Sequence, residues 1–86
     1  MNFVRTESFR RDYKSLPEKV QIALAKALGF LLIDPRYPSL QSRKLPGTDI
    51  WYARIDRGYR FTFQYGRDEI ILRRAGTHDV LSRERR

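Results

Sequence analysis

The chain has 86 residues, with 18 Lys and Arg against 10 Asp and Glu for a formal charge of +8, one histidine and no cysteine. A chain of this length supports one domain burying roughly 60 to 70% of its unfolded surface, so residues 1–86 are read as a single domain. Disulfides, thiolate metal sites and multi-histidine clusters are excluded within one chain, and neither a metal nor a cofactor is expected.

Met1 to Arg11 lacks the apolar segment of a secretory signal, and the longest apolar stretch, Ala27 to Ile33, is far short of the about 20 residues that span a bilayer. A cytoplasmic protein with no membrane partner is expected. The positive excess is +3 through Leu40 (7 against 4) and +5 beyond it (11 against 6), so it belongs to the whole domain. Arginines supply 14 of the 18 cations, which favours bidentate contacts with phosphate or carboxylate.

Asn2 to Thr6 reads as a short strand, followed by Phe9, Tyr13 and Leu16 at helical spacing, with Thr6 or Ser8 as the cap. Ser15 with Glu18 reads as a capping box opening a second helix, with Pro17 in its first turn. Val20, Leu24, Ala27, Leu28 and Leu31 form the buried stripe of that helix, which Asp34-Pro35 stops. Arg36 to Asp49 reads as an irregular connection into which Leu40 and Leu45 tuck.

Ile50 to Asp56, Tyr59 to Tyr65 and Glu69 to Ala75 read as an antiparallel meander with one apolar and one polar face. The expected fold is therefore α+β: an N-terminal helical hairpin packed on one face of a small, mainly antiparallel twisted sheet. The other face is expected to stay open, and Leu81 to Arg86 to form a charged, partly mobile tail.

Alternation puts Arg54 and Arg60 on the open face, where two cations can grip a backbone phosphate or simply keep the surface wet. Of Arg73 and Arg74, which point to opposite faces, Arg74 is favoured as the one meeting a ligand. His78 follows the third meander strand in a glycine-containing bend. It is the only side chain here whose unperturbed pKa lies near neutrality. Cleavage of RNA by its 2′-hydroxyl needs a base, an acid and cations to stabilise the phosphorane, and one histidine with several arginines covers most of those roles. Asp79 either serves as the second proton-transfer group or orients His78, and the orienting role carries more weight. Tyr52 can stack on a base or contact phosphate.

Ile50-Trp51-Tyr52-Ala53-Arg54, Gly58-Tyr59-Arg60-Phe61-Thr62-Phe63 and Leu72-Arg73-Arg74-Ala75-Gly76-Thr77-His78-Asp79-Val80-Leu81 together resemble the RelE/ParE superfamily of toxins from bacterial toxin-antitoxin systems, and the Gly-Thr-His ending is similar to its YafQ-type branch. The resemblance covers nearly the whole chain. It implies a ribosome-dependent mRNA endonuclease that cuts in the decoding site without metal, arrests translation and is neutralised by an acidic antitoxin.

By that resemblance His78 holds the branch's catalytic histidine position and Arg74 its arginine four residues earlier. Arg54 stands where the family has histidine or lysine, and Arg60 matches a phosphate-binding arginine. Arg43 or Lys44 falls near a further histidine position, and Tyr59 stands where the branch has tryptophan. Two histidines are thus replaced by cations, and Gly58 replaces an expected acid, so the proton-transfer scheme cannot be copied. The expected catalytic set is His78, Arg60, Arg74 and Arg54, with Arg43, Lys44, Tyr52, Tyr59, Arg73 and Asp79 binding substrate. The antitoxin's C-terminal part is expected across the polar sheet face. Two other readings stay open: a ParE-like inhibitor of DNA gyrase without catalysis, and an inactive antitoxin-binding module.

Overall fold

The computed structural model describes residues 2–84. Strand β1 (Asn2–Arg5) leads into helices α1 (Glu7–Ser15) and α2 (Glu18–Ile33), then a 3-10 turn at Pro38–Leu40. The chain continues through β2 (Arg43–Lys44), β3 (Trp51–Arg54), β4 (Tyr59–Tyr65) and β5 (Glu69–Thr77) to helix α3 (Asp79–Glu84). The sheet order is β1-β5-β4-β3-β2, with β1 parallel to β5 and the other pairs antiparallel. The α+β class, the helical hairpin and the mainly antiparallel sheet agree with the sequence reading.

Thr6 caps α1 as expected. Its hydroxyl oxygen accepts the Phe9 N–H at 3.1 Å, and its proton is shared between the Leu72 and Arg73 carbonyls, both 3.0 Å away. This one residue therefore fixes the start of α1 to the middle of β5. The expected Ser15 cap of α2 does not form: Ser15 is still in the last turn of α1, and its hydroxyl donates to the Arg11 carbonyl at 3.3 Å. Pro17, in extended conformation, opens α2 without a side-chain cap. Gln21 instead ties the hairpin by donating to the Tyr13 carbonyl at 2.7 Å.

Val20, Leu24, Ala27 and Leu31 of α2 join Phe9 of α1 against Ala53, Phe61, Phe63, Ile70, Leu72 and Ala75 of the sheet. The alternation of β3 and β4 selects that face, as Trp51 pairs with Phe63 and Ala53 with Phe61. Truncating Phe61 or Phe63, both fully buried, to alanine is expected to cost about 3 to 5 kcal/mol in urea unfolding. On its opposite side α2 exposes Ile22 (66%), Leu32 (51%) and Ile33 (74%), so the helix is apolar nearly all round.

Two further expectations are corrected. Arg43–Lys44 is a short edge strand on β3 within the stretch read as irregular. The C-terminal segment is not an open tail through Glu84, because Val80 (4% exposed) and the Arg73–Glu84 ion pair fasten it to the sheet as a helix. Arg85 and Arg86, the end of that expected tail, lie outside the described residues.

Candidate functional site

The sheet face turned away from the helical hairpin is built in rows by strand register. One row runs Arg43–Tyr52–Thr62–Arg74 and the next Arg54–Arg60–Gly76. Arg54 and Arg60 are direct cross-strand partners, as alternation required, and directly opposed like charges repel unless an anion or solvent intervenes. The turn before Arg60 is built by Asp56, whose Oδ1 accepts the Gly58 and Tyr59 N–H groups at 3.0 and 3.1 Å. Arg60 folds onto this turn, with Nη1 donating to the Asp56 and Tyr59 carbonyls at 2.7 and 2.8 Å. Its Nε and Nη2, and the whole Arg54 guanidinium, have no protein partner among the described residues.

Gly76 lies opposite Arg60, and the Val80 side chain sits over it, 3.9 Å from where a Cβ on Gly76 would be. His78 is two residues farther on, exposed, in the turn between β5 and α3. Its carbonyl accepts the Leu81 N–H at 3.1 Å, and its ring has no protein partner among the described residues. Register thus brings Arg54, Arg60 and the His78 turn to one end of the sheet.

The remaining expected residues divide. Tyr52 is half-buried on the same face, and Arg43 lies beside it on the edge strand. Lys44 pairs with Trp51 and so belongs to the opposite side, 3.9 Å from Asp49 in an exposed and therefore weak ion pair. Tyr59 packs against the core and is not on this face.

Arg74 is not available as expected. A bulge at Arg73, where Thr62 pairs with Arg74 but Phe63 with Leu72, turns two consecutive arginines away from the core. Since β1 ends at Arg5, the edge of β5 beyond Leu72 is open, and Asp12 of α1 fills it. The Asp12 carboxylate accepts from Arg74 Nε at 2.7 Å, Arg74 Nη2 at 3.3 Å and the Ala75 N–H at 3.0 Å. Arg73 is likewise engaged, donating to Glu84 at 2.7 and 3.4 Å and to Gln64 at 3.1 Å. Asp79 starts α3 and forms no hydrogen bond to His78 among the described residues, so the expected orienting contact is absent.

The expectation of a fully open face is also corrected. Helix α3 lies over β4 and β5: Val80 Cβ would sit 3.9 Å from a Cβ added at Gly76, and Thr62 beneath is fully buried with its hydroxyl unpartnered. A Val80–Leu81–Glu84 spacing was the available sequence signal for this helix.

No family model matches the sequence, and no curated protein does either. Solved structures do match. The "YoeB/ParE toxin from Agrobacterium tumefaciens" superimposes with a TM-score of 0.78 at 19% identity, covering 91% of this chain and 99% of that one. The RelB-RelE antitoxin-toxin complex from Methanococcus jannaschii gives 0.74 at 17% identity over 94% and 96%. The DinJ-YafQ toxin-antitoxin complex of E. coli gives 0.70 at 19% identity over 92% and 93%. At these identities the likeness shows the fold: a RelE/ParE-type toxin fold spanning nearly the whole chain.

Proposed function

From the fold shared with RelE, YafQ and YoeB/ParE toxins, we propose that this chain is the toxin of a toxin-antitoxin pair and an endoribonuclease that cuts mRNA at the ribosome. The observation that carries the reading is the register that sets Arg54 beside Arg60, with Gly76 opposite and the exposed His78 two residues beyond.

In the proposed reaction the 2′-oxygen forms a bond to the adjacent phosphorus and the bond to the 5′-oxygen breaks, leaving a cyclic phosphate. The 2′-hydroxyl loses its proton and the departing 5′-oxygen gains one; His78 carries one of these two transfers and solvent water the other, while Arg54 and the unspent edge of Arg60 hold the phosphoryl oxygens. Neither arginine serves as base, since a guanidinium offers only N–H donors and no acceptor for a proton. Arg74 acts at one remove, fixing β5 to α1 while adding positive potential. The test is to express the chain in cells and map transcript 5′ ends with and without translation. New ends appearing only during translation support the reading, and growth arrest with intact transcripts defeats it. Arg60→Ala is expected to lower cleavage by about 10² to 10³-fold, read as the rate of new-end formation.

The ring of His78 lacks an orienting partner among the described residues, which favours a second reading, inhibition of DNA gyrase without catalysis. A supercoiling assay with purified protein separates the two.

We infer in addition an acidic antitoxin partner, in keeping with the RelB and DinJ complexes among the structural neighbours. A groove of about 400 Å³ between the two long helices has Phe9, Tyr13, Ala25 and Leu28 along it and Arg5, Arg10 and Lys14 around it. It adjoins the exposed face of α2, and this surface suits an acidic amphipathic helix, with the rest of the partner reaching the sheet face. Ile22→Asp with Ile33→Asp is expected to weaken co-purification of the partner at least tenfold while leaving thermal unfolding unchanged.

A further inference from the structure

The Arg54 row does not end at the sheet edge. Strand β2 pairs with β3 only at Trp51 and Tyr52, so among the described residues no strand covers the outer edge of β3 beyond Tyr52. There a recess of about 340 Å³ opens between α2, the 3-10 turn and β3, and its wall includes Lys26, Ala27, Phe30, Ser39, Leu40 and Arg54. Its volume is near the lower end of small-ligand pockets.

The chemistry of this wall is divided. Lys26 and Arg54 are its two charged groups, both cations, and neither has a salt-bridge partner among the described residues. Two cations lining one concavity with no acid between them focus positive potential into it. Ser39 supplies an exposed hydroxyl beside them. The rest is apolar, and its aromatic member is held in place: Phe30 stacks on Tyr37 with centroids 4.2 Å apart and planes 4° from parallel, and the Lys26 ammonium lies 5.9 Å from the Phe30 centroid. An apolar wall of Ala27, Phe30 and Leu40 beside two cations suits a nucleotide, with its base against the apolar side and its phosphate on the cations.

We propose that this recess is a second nucleotide-binding subsite, taking the nucleotide next to the scissile linkage as a single RNA strand passes from the Arg54–Arg60 row over the uncovered edge of β3. Arg54 is the shared residue, facing Arg60 across the strands and lining the recess. The proposal rests on the ribonuclease reading and assigns the direction in which the strand leaves the sheet. It also gives a role to Lys26, which the reaction itself does not use.

The experiment measures binding of a short, fluorescently labelled single-stranded RNA to the purified chain, by anisotropy over a range of salt, for wild type, Lys26→Glu and Lys19→Glu. Both lysines are exposed on α2, and only Lys26 lines the recess, so the two substitutions change the net charge equally. Lys26→Glu is expected to weaken binding at least tenfold and Lys19→Glu by less than threefold, while Lys26→Ala lowers the salt slope by about 1. Equal loss in the two glutamate variants overturns the subsite in favour of diffuse electrostatic attraction. In a parallel NMR titration uridine monophosphate is expected to shift the Phe30 and Tyr37 ring signals, and an equal response to ribose 5-phosphate overturns the assignment to a nucleotide. If neither RNA nor mononucleotide binds, the subsite is wrong. The ribonuclease reading is judged separately, by transcript mapping in cells.

Discussion

On the ribonuclease reading, replacing His78 by alanine is expected to leave thermal unfolding unchanged and to lower transcript cleavage by about 10² to 10⁴-fold, the range for loss of a group that moves a proton in the transition state. The ring is exposed and bonded to no other side chain among the described residues, so its removal opens no cavity and orphans no buried polar group. His78→Gln is expected to be equally inactive, because an amide keeps much of the polarity and size but does not titrate. The check is single-turnover cleavage of a translated message by purified ribosomes and toxin, alongside a melting curve. Undiminished cleavage by both variants would remove His78 from the reaction.

Replacing Asp12 by alanine is expected to destabilise the fold by about 3 kcal/mol, because it leaves the Arg74 guanidinium unpaired and the Ala75 N–H without its acceptor in a buried stretch of β5. For a domain of this size that corresponds to a fall of roughly 12 to 24 °C in melting temperature. The pair is partly screened, since its side chains are 26% and 19% exposed, and the greater part of the cost is assigned to the abandoned partners. Asp12→Asn is expected to lose less than half as much, as its amide oxygen can still accept the Ala75 N–H. If Asp12→Ala melts like wild type, α1 is held to β5 by Phe9 and the Thr6 cap alone. Double replacement of Asp12 and Arg74 by alanine is expected to recover part of the loss.

The aromatic alternation of β4 was legible because burial on one face imposes a period of two, and the observed strand, Tyr59–Tyr65, has the expected limits. The core stripe of α2 was legible for the corresponding reason at helical period. Arg54 and Arg60 followed from the same pleat. The Arg73 bulge was not legible, since nothing local marks a single extra residue that shifts the register, and the guanidiniums of Arg73 and Arg74 then meet the carboxylates of Glu84 and Asp12. The cover formed by α3 was missed because its charged composition resembles a solvated tail, whereas Val80 and Glu84 are held by β4 and β5.

By its residues alone the sequence determined the α+β class, the hairpin, the meander, the inward aromatics and a cationic pair across two strands, because each of these follows from periodicity or turn chemistry within a few neighbouring residues. Tertiary structure decided which arginines remain unpaired, how much of the sheet face stays open, and that Lys26 and Arg54 meet at one recess. Those outcomes depend on ion pairs and packing between segments distant in sequence, such as Asp12 and Arg74, which are 62 residues apart, and no local pattern encodes such a choice of partner.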